Sequence, residues 1–180
     1  MIESLNDAWE WYKSVKKLGL YMGRLGTRYW TTDALTNMLK KDNHLRSVEV
    51  PYLEEMVRRI ERDTDDLGVL LMFSVFEAIV RDRARDDITE SLRLPLHPLV
   101  QDVVGEMSED LRRGSFGKIM KGFKIVNPGL IEEVNQVRRY PNWVAHGRRS
   151  LQPPLVRPKI AFERLSRFLD QLIGTPNTPA

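Results

Sequence analysis

The sequence predicts an all-α, single-domain helical bundle of about five main helices. Three observations carry that expectation. Apolar residues recur at three- and four-residue spacing in several windows, with no sustained β-alternation, internal repeat or heptad array. The run from Leu67 to Val80 is apolar nearly all round, as a core helix requires. Prolines at 51, 128 and 158 stand where helices begin, a position that tolerates their missing N–H. With 180 residues, 42% of them hydrophobic and 29% charged, the chain can bury one sizeable core. One domain over residues 1–174 follows, with 1–50 as an N-terminal helical extension and 175–180 as a disordered tail.

Taken in order, Ile2, Leu5, Ala8, Trp9, Tyr12, Val15 and Leu18 share a helical face, so a first helix is expected from residue 2 to about 18. Gly19, Gly23 and Gly26 then loosen the chain. Thr31 or Thr32 caps a second helix, with Asp33 in its first turn, that ends near Asn43. His44 follows as a solvated residue of that exit. Pro51 opens a third helix whose stripe is Leu53, Met56, Val57 and Ile60.

The core helix from Leu67 to Val80 comes next, buried on most sides, with Gly68 and Ser74 allowing neighbours to approach. Arg81 to Asp87 then return the chain to solvent. Glu77 is anomalous in that apolar run, because an ionised carboxylate is costly to bury without a partner. An arginine of a neighbouring helix is the expected partner. Leu94 to Pro98 form a connection in which His97 packs or turns, and Leu99, Val100, Val103, Val104, Met107 and Leu111 form another helical stripe.

The glycine-punctuated stretch after Arg112 and Arg113 reads as a basic loop with at most a short helix, and lacks the spacing of a phosphate-binding P-loop. Asn127-Pro128 starts a helix that buries Leu130, Ile131, Val134 and Val137. Pro141 is expected to kink or restart it, since it has no N–H for the Val137 carbonyl and disfavours helical geometry at Tyr140. Gly147 and Pro153-Pro154 end the following piece. Pro158 opens a last helix with Ile160, Phe162, Leu165, Phe168, Leu169 and Ile173 on its apolar face.

Composition excludes several chemistries. Without cysteine there is no disulfide, thiolate metal site or thiol nucleophile, which fits a reducing compartment, and the cytoplasm is the expected location. No apolar window is long enough to span a bilayer, and the amphipathic first residues lack a signal-peptide pattern. His44, His97 and His146 have no metal-ligand spacing, and no nucleophile elbow supports a serine triad. No metal and no cofactor are therefore expected.

The net charge of +3 conceals an asymmetry, since residues 111–160 hold eleven Lys and Arg against two acids and carry +9, leaving −6 on the rest. Such a region attracts a polyanion and holds its backbone, which makes nucleic acid the expected partner. Within it stands Val137-Arg138-Arg139-Tyr140-Pro141-Asn142-Trp143-Val144-Ala145-His146-Gly147-Arg148-Arg149. Arginine is a permanent cation whose planar fork fits phosphate oxygens, and histidine transfers protons near neutrality.

The order Arg139, Asn142, then Val-Ala-His146-Gly resembles the HEPN superfamily, small all-helical domains whose ribonuclease members carry an Arg-x4-6-His signature. Arg139 is the natural match and Arg138 the weaker one. Phe76-Glu77 adds to the resemblance, because the family often has an acidic residue after an aromatic in an apolar helix. The resemblance spans residues 50 to 175.

It implies a metal-independent endoribonuclease. His146 would transfer the 2′-hydroxyl or leaving-group proton, and Arg139 would stabilise charge developing on the phosphate, leaving a 2′,3′-cyclic phosphate and a 5′-hydroxyl. Arg138, Arg148 and Arg149 would contact phosphates. Asn142 would hold the substrate or His146, or serve as a turn or capping residue. Trp143 belongs to the core, or stacks a base. Glu77 would be a structural pair, or orient Arg139 or His146 from behind.

One histidine per motif implies a two-fold homodimer with a composite cleft. The family further implies a toxin–antitoxin or phage-defence setting, with an antitoxin or regulatory protein as partner. Some members are inactivated by nucleotide transfer onto a tyrosine two residues before the histidine, where this chain has Val144. A non-catalytic RNA- or nucleotide-binding module of the same fold is the alternative.

Overall fold

The helical periodicities become five α-helices among the described residues of the computed structural model, which are 2–28, 41, 50–91, 114–148 and 151–174. They are α1 (Leu5–Arg28), α2 (Val50–Ser91), α3 (Phe116–Gly122), α4 (Pro128–Ala145) and α5 (Pro158–Ile173). No strand occurs among the described residues, and the all-α expectation is met. No helix there is long and apolar enough to cross a membrane. The expected helix between Thr31 and Asn43, His44, the connection holding His97, the stripe from Leu99 to Leu111 and the tail beyond Gly174 lie outside the described residues, apart from the single residue 41.

A reciprocal cap starts α1. The Asp7 N–H donates to Ser4 Oγ at 3.1 Å, and Asp7 Oδ2 accepts from the Ser4 N–H at 3.0 Å, which satisfies donors that the first turn leaves open. The helix does not loosen at its glycines but continues to Arg28. Packing explains this. A Cβ on Gly23 would stand 2.7 Å from Val57 Cγ1, and one on Gly68 would collide with the Tyr12 ring, so the absent side chains let α1 and α2 approach closely. That contact offsets a helix-propensity cost of about 1 kcal/mol per glycine. The pairings Gly23–Val57, Gly19–Ile60 and Tyr12–Gly68 run in opposite directions along the two chains, so the helices are antiparallel.

The second correction concerns α2. Two helices and a solvated run were expected, yet one helix of 42 residues spans all three, about 60 Å at 1.5 Å per residue. No glycine or proline separates Pro51 from Leu67, and two of the acids between them, Asp65 and Asp66, accept from Tyr12 of α1 and Tyr140 of α4. Ion pairs such as Arg83–Asp87 at 2.8 Å support the charged end. Burial is also more one-sided than expected. Val69, Met72, Phe73, Phe76 and Val80 are buried, whereas Leu67 and Ser74 are exposed.

Around that buried face the other helices close a core. Phe76 meets Phe116 of α3 edge-on at 5.9 Å and Phe168 of α5 at 5.3 Å, geometries that the aromatic quadrupole favours. Trp9 stacks between Tyr12 and Phe162, tying α1 to α5. The short α3 agrees with the basic loop expected there. Asn127 caps α4 by accepting from the Gly129 N–H at 2.7 Å, with Pro128 in the first turn. Pro158 opens α5 as expected, though Ile160 and Ile173 are exposed. Glu133 of α4 pairs with Arg167, and Gln136 accepts from Arg164 at 3.1 Å, so α4 and α5 are antiparallel as well.

The third correction is at Pro141, through which α4 runs unbroken to Ala145. Its missing N–H removes one ladder bond, but Tyr140 and Pro141 are both buried, and their burial opposes the loss. The ladder is then resumed by His146 N–H donating to the Asn142 carbonyl at 3.0 Å.

Candidate functional site

Because α4 is continuous, its period decides which side chains meet. At 100° per residue, Arg139, Asn142 and His146 share one face, and Arg139 and His146 are separated by about two turns, roughly 10 Å along the axis. Tyr140 and Pro141, which lie between Arg139 and Asn142, turn into the core. These two residues thus fall on the buried side of the helix, and the polar residues remain on the outer side.

Arg138, Arg139, Asn142 and His146 line one groove of about 340 Å³ with Trp143, Leu151 and Pro153. Arg139 is exposed and meets Glu132 Oε1 at 3.3 Å. Arg138 is half-buried beside Gly117 of α3, and its Nε is buried without a hydrogen-bond partner among the described residues. Four of the expected site residues therefore come together.

The end of α4 is built with unusual backbone. Gly147 has φ 71° and donates to the Val144 carbonyl at 3.0 Å, while the Arg148 N–H reaches the Trp143 carbonyl at 2.9 Å. These are the two bonds of a Schellman motif with His146 as the C-cap, which satisfies carbonyls the last turn would leave open. Arg148 then has φ 59°, a region in which a side chain crowds its own backbone.

Its side chain indicates why the conformation is held. The Arg148 guanidinium pairs with Asp66 of α2, lies 3.9 Å from Asp63, and sits over the Trp143 ring at 5.7 Å. Asp66 is only 5% exposed and also accepts from the Tyr140 hydroxyl at 2.5 Å. Burial, with that hydrogen bond to a carboxylate, pushes the Tyr140 hydroxyl well above its ordinary value.

Arg148 stands apart from the other expected site residues. It is not among those lining the groove, and its guanidinium pairs with Asp66. Arg149 lies outside the described residues. Glu77 is also corrected. Its partner is Arg81 of the same helix, at 2.6 Å, and not an arginine of a neighbouring one. Arg81 in turn reaches the Gly114 carbonyl at 3.3 Å and lies over Phe116, so the pair braces the approach to α3 rather than the groove.

Sequence reasoning missed Asp66, Tyr140, and the parallel set of Asp65 with Tyr12 and Lys16. The signal was Asp63-Thr-Asp65-Asp66 directly before the most apolar run, where acids need partners. Among the described residues no group of three or more His or acidic side chains could hold a metal ion. In comparisons with known proteins, no family model, no curated protein and no solved structure matched the chain.

Proposed function

We propose that the α4 groove binds an RNA backbone and cleaves it as a metal-independent endoribonuclease of the HEPN type. The observation that carries the reading is the convergence of Arg138, Arg139, Asn142 and His146 on one groove. His146, exposed at the helix end, is placed to exchange a proton with solvent-borne substrate. Arg139 supplies fixed positive charge two turns away. Its pair with Glu132 is no obstacle, because an exposed ion pair is worth about 0–1 kcal/mol and a phosphate can displace it.

In this reading Arg138 and Asn142 hold the phosphate and the ribose side, and Trp143, Leu151 and Pro153 form an apolar wall. Attack of the 2′-hydroxyl on phosphorus expels the 5′-oxygen, leaving a 2′,3′-cyclic phosphate and a 5′-hydroxyl. Acid and base duties are divided between two copies of His146 in a two-fold dimer. A toxin–antitoxin or phage-defence setting, with a regulatory protein as a further partner, belongs to the same proposal.

The test is incubation of chelator-treated protein with a mixed RNA pool, followed by analysis of the product ends. Cleavage is expected, with cyclic phosphate ends, and His146→Ala and Arg139→Ala should each lower the rate by about 10²-fold or more while helicity is retained. Full activity in folded His146→Ala removes the catalytic assignment. RNA binding without cleavage by the unaltered protein establishes the non-catalytic binding module instead.

A further inference from the structure

We infer that Asp66 is a positioning residue: it draws Arg148 back onto α2, locks the left-handed turn that ends α4, and thereby sets where His146 stands in the groove. The catalytic part of this inference rests on the proposed ribonuclease activity; the positional part does not.

Three independent features meet at this point. Asp66 is a buried acid outside the groove, and both of its carboxylate oxygens are used, one by the Tyr140 hydroxyl and the other by Arg148. Tyr140 and Arg148 lie on either side of His146 in the chain, one inside α4 and one beyond its end. The carboxylate therefore clamps the motif helix from both sides of the residue to be positioned. Second, Arg148 is the one non-glycine residue at positive φ among the described residues. Glycine would adopt φ 59° without crowding, so the arginine is there for its side chain. Third, the two Schellman bonds that the left-handed Gly147 completes are donated by Gly147 and Arg148, the residues directly after His146, so the Arg148 side chain is anchored on the turn that carries them.

His146 itself is exposed, and its N–H bonds within the helix end, to the Asn142 carbonyl. An exposed side chain at a helix terminus would ordinarily share the fraying of that terminus. A salt link from the following turn to a buried acid suppresses that fraying without placing any group in the groove. Arginine suits the role, since its guanidinium can bond Asp66 and stack on Trp143 together.

The test uses the full chain with Arg148→Gly, which removes the clamp while keeping the backbone conformation permitted, and the double variant Asp66→Asn/Arg148→Gly, which avoids a buried carboxylate without its cation. Amide exchange at residues 147 and 148 should accelerate by roughly tenfold or more in both, well below the melting temperature. The His146 ring resonances, assigned by their loss in His146→Ala, should move toward those of a solvent-averaged imidazole. A misplaced catalytic group costs up to about 10²-fold in rate. Turnover at saturating RNA should accordingly fall by roughly tenfold to a hundredfold, with RNA affinity changed by less than about twofold, since neither residue lines the groove.

A purely structural salt bridge would lower the melting temperature yet leave the His146 resonances and the turn's exchange unchanged, and that result overturns the inference. If the unaltered protein cleaves no RNA, the ribonuclease reading fails, while exchange and ring resonances still decide the clamp. Arg148→Lys, which keeps the charge but not the planar fork, should restore part of the protection.

Discussion

Asp65 and Asp66 are neighbours on α2, about 100° apart around its axis, and each holds one tyrosine hydroxyl and one cation from outside α2. Asp65 takes Tyr12 at 2.7 Å and Lys16, four residues apart on the regular α1. Asp66 takes Tyr140 at 2.5 Å and Arg148, eight residues apart across the end of α4. Spacing separates the two. A four-residue step lets one straight helix present both groups, whereas an eight-residue step reaches the same carboxylate only if the chain turns back. Burial differs too, with the Asp65 side chain 36% exposed and that of Asp66 only 7%. The same chemistry thus staples two helices in one place and shapes a helix terminus in the other.

The widest break in that comparison comes from removing each acid. Asp66→Ala should destabilise the fold by about 3 kcal/mol, toward the low end for breaking a buried pair because Arg148 is partly exposed. Asp65→Ala should cost about 1 kcal/mol, since solvent screens its lysine and can serve the tyrosine. Urea unfolding of the two variants measures the difference, and equal losses would mean that burial does not distinguish the nodes.

A smaller effect sharpens the Asp65 side. Gly68→Ala places a methyl against the Tyr12 ring and should cost about 1–3 kcal/mol through overpacking. Gly19→Ala meets only Ile60, at 3.9 Å, and should be neutral or stabilise by up to about 1 kcal/mol through helix propensity. The pair of melting temperatures separates close approach from glycine content in α1 and α2.

The smallest expected effect is shared by both nodes and appears only in alkali. Tyr12 and Tyr140 are each raised above the ordinary tyrosine value, first by burial and then by the hydrogen bond to their aspartate. A group whose folded value is raised contributes stability that is intact below its unfolded value, near 10, and is lost as pH climbs above it. Unfolding free energy should therefore decline from about pH 10 upward, and Tyr12→Phe and Tyr140→Phe should each flatten part of that decline. A slope unchanged in both phenylalanine variants would remove the tyrosines as its source.

Helix identity was legible wherever burial repeats at helical spacing. Leu130, Ile131, Val134 and Val137 announced α4, and the stripe around Leu165 and Phe168 announced α5. Continuity was less legible. Gly23 and Pro141 are breakers by local preference, and each is overridden by a contact with residues distant in the chain, Val57 for the first and the buried core for the second. The groove residues Arg138, Arg139, Asn142 and His146 could be named from the motif because they lie on one short segment. Asp66 could not be, since its partners Tyr140 and Arg148 are 74 and 82 residues away.

By itself the sequence determined the all-α class, the starts of α4 and α5, the basic region, and the four side chains of the groove, because each depends on residues within a few turns of one another. Tertiary structure decided that α2 is one helix, that α4 passes through Pro141, that Glu77 serves Arg81, and that Arg148 belongs to Asp66 rather than to the groove. The physical reason is shared by all four. An unpaired buried charge or a broken helical bond costs more than local preference can offset, and only the folded chain determines which distant group supplies the compensating contact.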